Sequence, residues 1–171
     1  MNAVLENIKT RRSVREYLDK NVKKEDLDQI LEAGLYAPSA RNTQNWQFTV
    51  VQKSENLKSL NDVMAEALGR EYNKFYDAPV LIIVSVPRDY KHGMADTSVA
   101  LQNMMLAANS LELGSVWVNQ LLDVGDHAKV RAILTNLGVP EDHIVNGSLA
   151  VGYSKANIEK DRKNRGVVVF D

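Results

Sequence analysis

Apolar positions recur at helical spacing in some stretches of the chain and at strand spacing in others. Val4, Leu5 and Ile8 share a helical face, and the polar run at Thr10 to Ser13 predicts the end of that first helix close to a group of arginines. Residues 22–37 set Leu27, Ile30, Leu31, Gly34 and Leu35 on one side and Glu25, Asp26, Asp28 and Glu32 mostly on the other, the pattern of an amphipathic helix that Pro38 stops. A loop, 39–45, follows. Residues 46–51 predict a strand, and from Ser54 a helix repeats Leu57, Leu60, Met64 and Leu68 at intervals of three and four.

Residues 79–86 are almost unbroken in apolar side chains, rich in Val and Ile, and bounded by Pro79 and Pro87. This predicts a strand buried on both faces in the middle of a sheet. Residues 96–111 form the most apolar helical stretch, with only a narrow polar stripe, so a central helix is expected there, ending before Gly114. Beyond it the pattern predicts a strand at 115–121, an amphipathic helix at 126–137 closed by Gly138 and Pro140, and a last core strand at 145–152. The tail is charged until Val167-Val168-Val169-Phe170, a β-prone segment that needs a sheet edge from this chain or from a second copy. Taken alone, this strand and helix alternation favours a parallel, doubly wound sheet.

At 171 residues with 44% apolar and 25% charged side chains, and with no repeat, low-complexity stretch or linker, the chain is expected to form a single globular domain spanning 1–171. Lys plus Arg number 21 against 22 Asp plus Glu, so no global field draws the protein to nucleic acid or membrane, and any anion site must be local. The absence of Cys excludes disulfides, a thiolate nucleophile and Cys-based metal sites. His92, His127 and His143 are scattered, without the spacing of a helical metal site, and no metal is expected. No window reaches the roughly 18 apolar residues of a membrane span, and the N-terminus lacks a basic region followed by an apolar one, so a cytoplasmic protein is expected.

Candidate chemistry lies in three places. Arg11, Arg12, Ser13 and Arg15 bring three guanidinium groups and a hydroxyl to a helix exit, a set able to grip a phosphate dianion; taken alone it reads more often as a solvated basic turn. The loop Pro38-Ser39-Ala40-Arg41-Asn42-Thr43-Gln44-Asn45 offers donors and acceptors between a helix end and a strand start, a frequent place for ligands; equally, its side chains would serve only their own backbone. Lys160, Arg162, Lys163 and Arg165 form a second basic group, ordinarily a solvated tail. Neither a Gly-x-Gly-x-x-Gly after a strand nor a Walker-type Gly-Lys-Ser/Thr is present, so phosphate recognition would rest on arginine.

Together these segments resemble the FMN-dependent nitroreductase family. Arg-Arg-Ser-Val-Arg, then a helix, then Ala-Pro-Ser-x-x-Asn-x-Gln-x-Trp and an apolar strand are followed in order by Tyr76-Asp77-Ala78-Pro79, Asp96-x-Ser-x-Ala-x-Gln-Asn-Met, Leu113-Gly114-Ser115-Val116-Trp117 and Val151-Gly152-Tyr153. The likeness spans nearly the whole chain. It implies an α+β sandwich with a mostly antiparallel central sheet, an intertwined homodimer with FMN at the subunit interface, and a place on the partner for the strand 167–170. By matched position, Arg11, Arg12 and Ser13 would bind the FMN phosphate, and Arg15 would reach the N1 and O2 edge of the ring. Ser39 and Ala40 would come from the opposite subunit, and Pro38 would be among the cofactor-binding residues. Asn42 and Gln44 would bond the ring or ribityl chain, Trp117, Val118 and Asn119 would run beside the ring, and Lys163 and Arg165 would return to the phosphate.

The implied reaction is ping-pong, with NADH or NADPH as hydride donor and a nitroaromatic or quinone as acceptor. The flavin carries the chemistry, so no catalytic side chain is expected. Two features depart from the family's pattern: Asn45 stands where Pro is common before the Trp, and Arg41 stands where a small residue is common, which points to an acidic substrate or NADPH. The chain also lacks the inserted helices that cover the flavin in larger relatives, implying an open site. Two other readings stand beside this one: a flavin enzyme of the same fold with dehalogenase-like or enoyl-reductase-like chemistry, and a non-catalytic module that binds an anionic partner.

Overall fold

Every residue of the Val80–Val86 run is buried, as its unbroken apolar sequence requires. In the computed structural model, which describes residues 2–71, 75–156, 158 and 166–170, this strand lies inside a four-stranded sheet. The elements in chain order are α1 (Ala3–Thr10), α2 (Lys24–Leu35), a 3-10 turn (Ala40–Asn42), β1 (Gln47–Val51), α3 (Ser54–Leu68), β2 (Val80–Pro87), α4 (Gly93–Ser110), β3 (Gly114–Val118), α5 (Gln120–Val124), α6 (Ala128–Asn136) and β4 (His143–Gly152). The sheet order is β1-β2-β4-β3, and all three pairings are antiparallel.

The α+β architecture implied by the resemblance is therefore present, and the parallel sheet favoured by alternation alone is not. The reason lies in the connections. Val51 at the end of β1 pairs with Leu81 at the start of β2, so α3 and the segment after it leave and return at the same end of the sheet. β2 and β3 do run the same way, joined by α4 as a crossover, but β4 inserts between them and opposes both. Sequence alternation carries no information about that insertion.

Alternation along β2 divides the core. Val80, Ile82 and Val84 join Leu149 and Val151 of β4 in packing with Leu27 and Ile30 of α2 and Leu101, Met104 and Ala108 of α4. Leu81 and Ile83 join Val116, Val118 and Ala150 in packing with Leu60 and Met64 of α3, Leu121 and Val124 of α5, and Val130 and Leu134 of α6. Full burial of each such Val, Ile or Leu contributes about 1.5–3 kcal/mol. Gly34 lets α2 close on α4: a Cβ there would stand 2.2 Å from Met104 Cε and 3.0 Å from Phe48 Cε2.

One sequence expectation needs correction. The strand expected at 115–121 stops at Val118, because Asn119 leaves extended geometry (φ −94°, ψ −18°) and α5 begins, placing Leu121 and Val124 on one buried helical side. Val167 to Phe170 forms no strand within this chain; all four side chains are exposed, Phe170 at 92%. No helix of the described residues is long and apolar enough to cross a membrane.

Candidate functional site

The basic turn is built from the end of α1 and the outer edge of β3. Asn2 caps α1 by accepting from the Val4 N–H at 2.8 Å, and Asn7 fixes the helix to α4, its Nδ2 donating to the Leu106 carbonyl at 2.9 Å. Asn109 of α4 returns the contact, donating through Nδ2 to Asn7 Oδ1 at 2.6 Å. Past Thr10 the chain turns extended. Ser13 forms a bridge with Ser115, and the Val14 N–H donates to the Ser115 carbonyl at 3.0 Å. Tyr17 is buried, its hydroxyl donates to the Val14 carbonyl at 2.8 Å, and burial pushes its pKa well above the ordinary phenol range. These contacts fix the backbone from which the arginines project.

Arg12 folds back over α1, donating through Nη1 to the Lys9 carbonyl at 2.6 Å and the Arg11 carbonyl at 3.0 Å, where a cation also suits the negative end of the helix. Its Nε is buried and has no hydrogen-bond partner among the described residues. A buried guanidinium nitrogen left without an acceptor costs on the order of 1–3 kcal/mol, so an acceptor is expected there. Arg11 and Arg12 line a cavity of about 200 Å³ together with Asn109, Ser115 and Ser154. Arg15 is exposed, and its guanidinium carbon stands 5.8 Å from the centroid of the Tyr76 ring.

The polar loop lies elsewhere. Arg41 (φ 56°), Asn42 (φ 57°) and Gln44 (φ 51°) all adopt left-handed backbone, a conformation that costs a non-glycine residue roughly 1–2 kcal/mol. Inside the loop, the Gln44 N–H donates to Ser39 Oγ at 3.0 Å and Gln44 Nε2 donates to Asn42 Oδ1 at 2.9 Å. From outside, the buried carboxylate of Asp96 accepts the Ala40 N–H at 3.1 Å and the Tyr90 hydroxyl at 2.5 Å. That last bond holds the Tyr90 pKa above its ordinary value. Pro38, Arg41, Asn42 and Gln44 are exposed, while Ser39 and Ala40 are half-buried.

Loop and arginines sit toward opposite ends of α4. The loop is tied to Asp96 and the basic turn to Leu106 and Asn109, so at about 1.5 Å per residue their anchors are separated by roughly 15–20 Å along the helix. Within one chain the two groups do not meet. Trp117 is half-buried on the α2 and α4 side of the sheet, with its indole N–H buried and unpartnered among the described residues. Val118 is buried and its carbonyl accepts from Ser148 Oγ at 3.0 Å, whereas Asn119 is exposed where the chain leaves β3. Lys163 and Arg165, like Lys160 and Arg162, lie outside the described residues.

Sequence reasoning missed Ser115, Ser154 and Asn109 around the arginines, and Tyr90 and Asp96 beneath the loop. Asp96 had a signal, as the first residue of the Asp-x-Ser-x-Ala-x-Gln-Asn-Met segment; Tyr90 had none, since its contact with Thr43 spans 47 residues. A larger cavity of about 580 Å³, bordered by Leu18, Gln52, Lys58, Phe75 and Asp77, includes none of the predicted site residues.

Comparison with known proteins adds to this geometry. The chain matches the nitroreductase family model over residues 8–75 and 68–153. A crystal structure of a nitroreductase with bound FMN from Bacteroides fragilis superimposes with a TM-score of 0.93, at 39% identity and with 99% of each chain covered. A protein of Archaeoglobus fulgidus provisionally named an NADH dehydrogenase/NAD(P)H nitroreductase is 36% identical over 94% of this chain and 90% of its own length. An NADPH-flavin oxidoreductase of Vibrio harveyi is 29% identical, covering 100% of this chain and 74% of the relative. Matched over most of its length in sequence and nearly all of it in structure, the chain belongs to the nitroreductase family.

Proposed function

We propose that this protein is a cytoplasmic FMN-dependent oxidoreductase that works as a homodimer and uses NADH or NADPH as its hydride donor. The observation that carries the reading is the Arg12 guanidinium: its buried Nε has no acceptor among the described residues, and it borders, with Arg11, a cavity suited to a phosphate group. The donor set fits the ligand, since guanidinium nitrogens and serine hydroxyls bond phosphate oxygens strongly and a dianion needs opposite charge near it. The FMN carried by the Bacteroides fragilis relative of the same fold supports the same ligand here.

In this reading Arg11, Arg12 and Ser13 hold the FMN phosphate, Lys163 and Arg165 add to it from the tail, and Arg15 stands at the N1 and O2 edge of the ring. Bound there, the flavin supplies the redox chemistry, accepting hydride at N5 from NAD(P)H and passing electrons to an electron-poor acceptor such as a nitroaromatic or quinone by alternation in one pocket. Arg15 provides fixed positive charge where negative charge develops on reduction. Trp117, Val118 and Asn119 flank the ring, and no side chain acts as nucleophile. Arg41, exposed beside Tyr90, is the contact offered to an acidic acceptor or to the extra phosphate of NADPH.

A second copy completes the site. The loop residues Pro38, Ser39, Ala40, Asn42 and Gln44 are anchored toward the opposite end of α4 from the arginines of their own chain, and in this reading they serve the partner's flavin. Dimerisation also accounts for surface that a monomer would leave wet: Val4, Leu5 and Ile8 of α1, Leu35, and Tyr36 at 80% exposure. In this reading the tail segment 167–170 pairs with the partner subunit. The outer edge of β3 is engaged by Ser13 and Val14, whereas β1 ends the sheet with no strand beyond it among the described residues, so the partner's Val167 to Phe170 pairs with β1.

The test is a parallel titration of the purified protein with FMN and riboflavin, followed by fluorescence quenching. The wild type is expected to prefer FMN, and Arg12→Ala to lose most of that preference while still binding the ring. Equal affinity of the wild type for both ligands would remove the phosphate from the arginine turn.

A further inference from the structure

The 39–44 turn is held in a conformation that its residue types do not favour, and the bonds inside it are short-range. The Asn42 N–H donates to the Ser39 carbonyl at 2.9 Å, the Thr43 N–H to the Ala40 carbonyl at 3.2 Å, and the Gln44 N–H to Ser39 Oγ at 3.0 Å. These bonds close the turn on itself but do not attach it to the protein. Attachment comes from α4 and the residues just before it. One carboxylate, Asp96, is 5% exposed and accepts the Ala40 N–H at 3.1 and 3.3 Å through its two oxygens. It sits in the first turn of the 18-residue helix α4.

Tyr90 supplies the second attachment. Its hydroxyl donates to Asp96 Oδ2 at 2.5 Å, which commits its one hydrogen; the Thr43 hydroxyl lies 2.6 Å from Tyr90 Oη and 3.0 Å from the Ala40 carbonyl, and its hydrogen is shared between these two acceptors. The chain Thr43 to Tyr90 to Asp96 to Ala40 therefore grips the turn at two points on either side of Arg41 and Asn42. The Tyr90 ring is itself braced edge-on against His92, with ring centroids 5.9 Å apart.

We propose that Tyr90 and Asp96 are positioning residues, which clamp the 39–44 turn in the left-handed form that presents Ser39, Ala40 and Asn42 to FMN and Arg41 to the acceptor. This rests on the flavin reading given above. Neither residue touches the ligand. They act by fixing the geometry in advance, so that binding does not have to order the turn.

The experiment begins with the FMN dissociation constant of the wild-type protein, measured by flavin fluorescence. The same measurement is then made on Tyr90→Phe, Thr43→Val, the double variant and Thr43→Ser, with thermal melting of each FMN-free protein alongside. Tyr90→Phe and Thr43→Val are each expected to weaken FMN binding about 10-fold, because each breaks the hydrogen-bonded link from Thr43 through Tyr90 to Asp96 that orders the turn. The double variant should be no worse than either single one, because both break the same link, and Thr43→Ser should restore binding. The melting temperature should barely move in Thr43→Val, which leaves the bond from Tyr90 to the buried Asp96 in place, whereas a purely structural role would lower it and leave the affinity of the folded protein unchanged. Wild-type affinity in both Tyr90→Phe and Thr43→Val would overturn the clamp. A wild type that binds no FMN would overturn the flavin reading itself, and the clamp with it, before any substitution is compared.

Discussion

Val14 lies directly against Gly114: a Cβ at Gly114 would come within 2.7 Å of Val14 Cγ2 and 2.8 Å of Val14 Cβ, and the next residue, Ser115, accepts the Val14 N–H at 3.0 Å. The basic turn is thus seated on the start of β3 by a contact with no spare room. Because all the clashing atoms belong to a branched side chain, no rotation relieves them.

Gly114→Ala is therefore expected to displace the segment carrying Arg12, Ser13 and Arg15, lowering stability by about 1–3 kcal/mol through overpacking. FMN affinity should fall with it. Denaturant melts and FMN titration of the variant check this; unchanged stability and affinity would show that the turn is seated by other contacts.

Arg15→Ala is expected to leave the fold intact, since the side chain is exposed and its stacking on Tyr76 is worth only about 0.5–1 kcal/mol. The effect should appear in the flavin, as weaker retention or slower reduction by NAD(P)H in stopped-flow absorbance. A variant with wild-type flavin content and reduction rate would remove Arg15 from the ring edge.

How much of this was legible beforehand differs from element to element. The buried strand at 80–87 was plain, because an unbroken run of Val and Ile between two prolines has few other uses. The end of β3 was not: Trp117, Val118, Leu121 and Leu122 suit an extended strand as well as a strand followed by a helical turn, and only the packing of Leu121 and Val124 decides. The antiparallel sheet came from the resemblance alone, since the insertion of β4 between β2 and β3 is a long-range fact. At the site, Arg12 was assigned through the resemblance, since its charge and position alone read more often as a solvated turn, and Tyr90 is one of six tyrosines with nothing local to mark it.

Deletion of residues 166–171 is expected to convert a dimer to a monomer or to a weak, concentration-dependent dimer. Val167 to Phe170 is β-prone and exposed, and β1 has no strand beyond it among the described residues. Sedimentation across a range of protein concentrations reads the change, and a truncated protein that sediments as the full chain does would place the dimer contact elsewhere.

Acid should expose a surface ion cluster that holds the ends of β2 and α6 together. Asp126 accepts two bonds from Arg88, at 2.7 and 2.8 Å, and one from Arg131 at 2.9 Å; these hold its pKa at about 2, below its ordinary value of 3.8. A carboxylate depressed on folding contributes stability above its unfolded pKa and loses it as pH falls through the folded one. The window is therefore pH 4 to 2. With the side chain 60% exposed, solvent screening limits the gain to about 1 kcal/mol or less. Asp126→Asn should melt earlier than wild type at pH 7 and match it near pH 2, whereas a gap that persists through acid would mean the pair acts through something other than charge.

The central claim is that this chain holds FMN and reduces it with a nicotinamide. Its most direct test is the visible absorption spectrum of the purified protein after incubation with FMN and removal of free ligand, recorded anaerobically before and after NADH or NADPH. Flavin bands that stay with the protein and bleach on adding the nicotinamide are the predicted result. A protein that emerges colourless, or whose bound flavin is untouched by either nucleotide, would contradict the account.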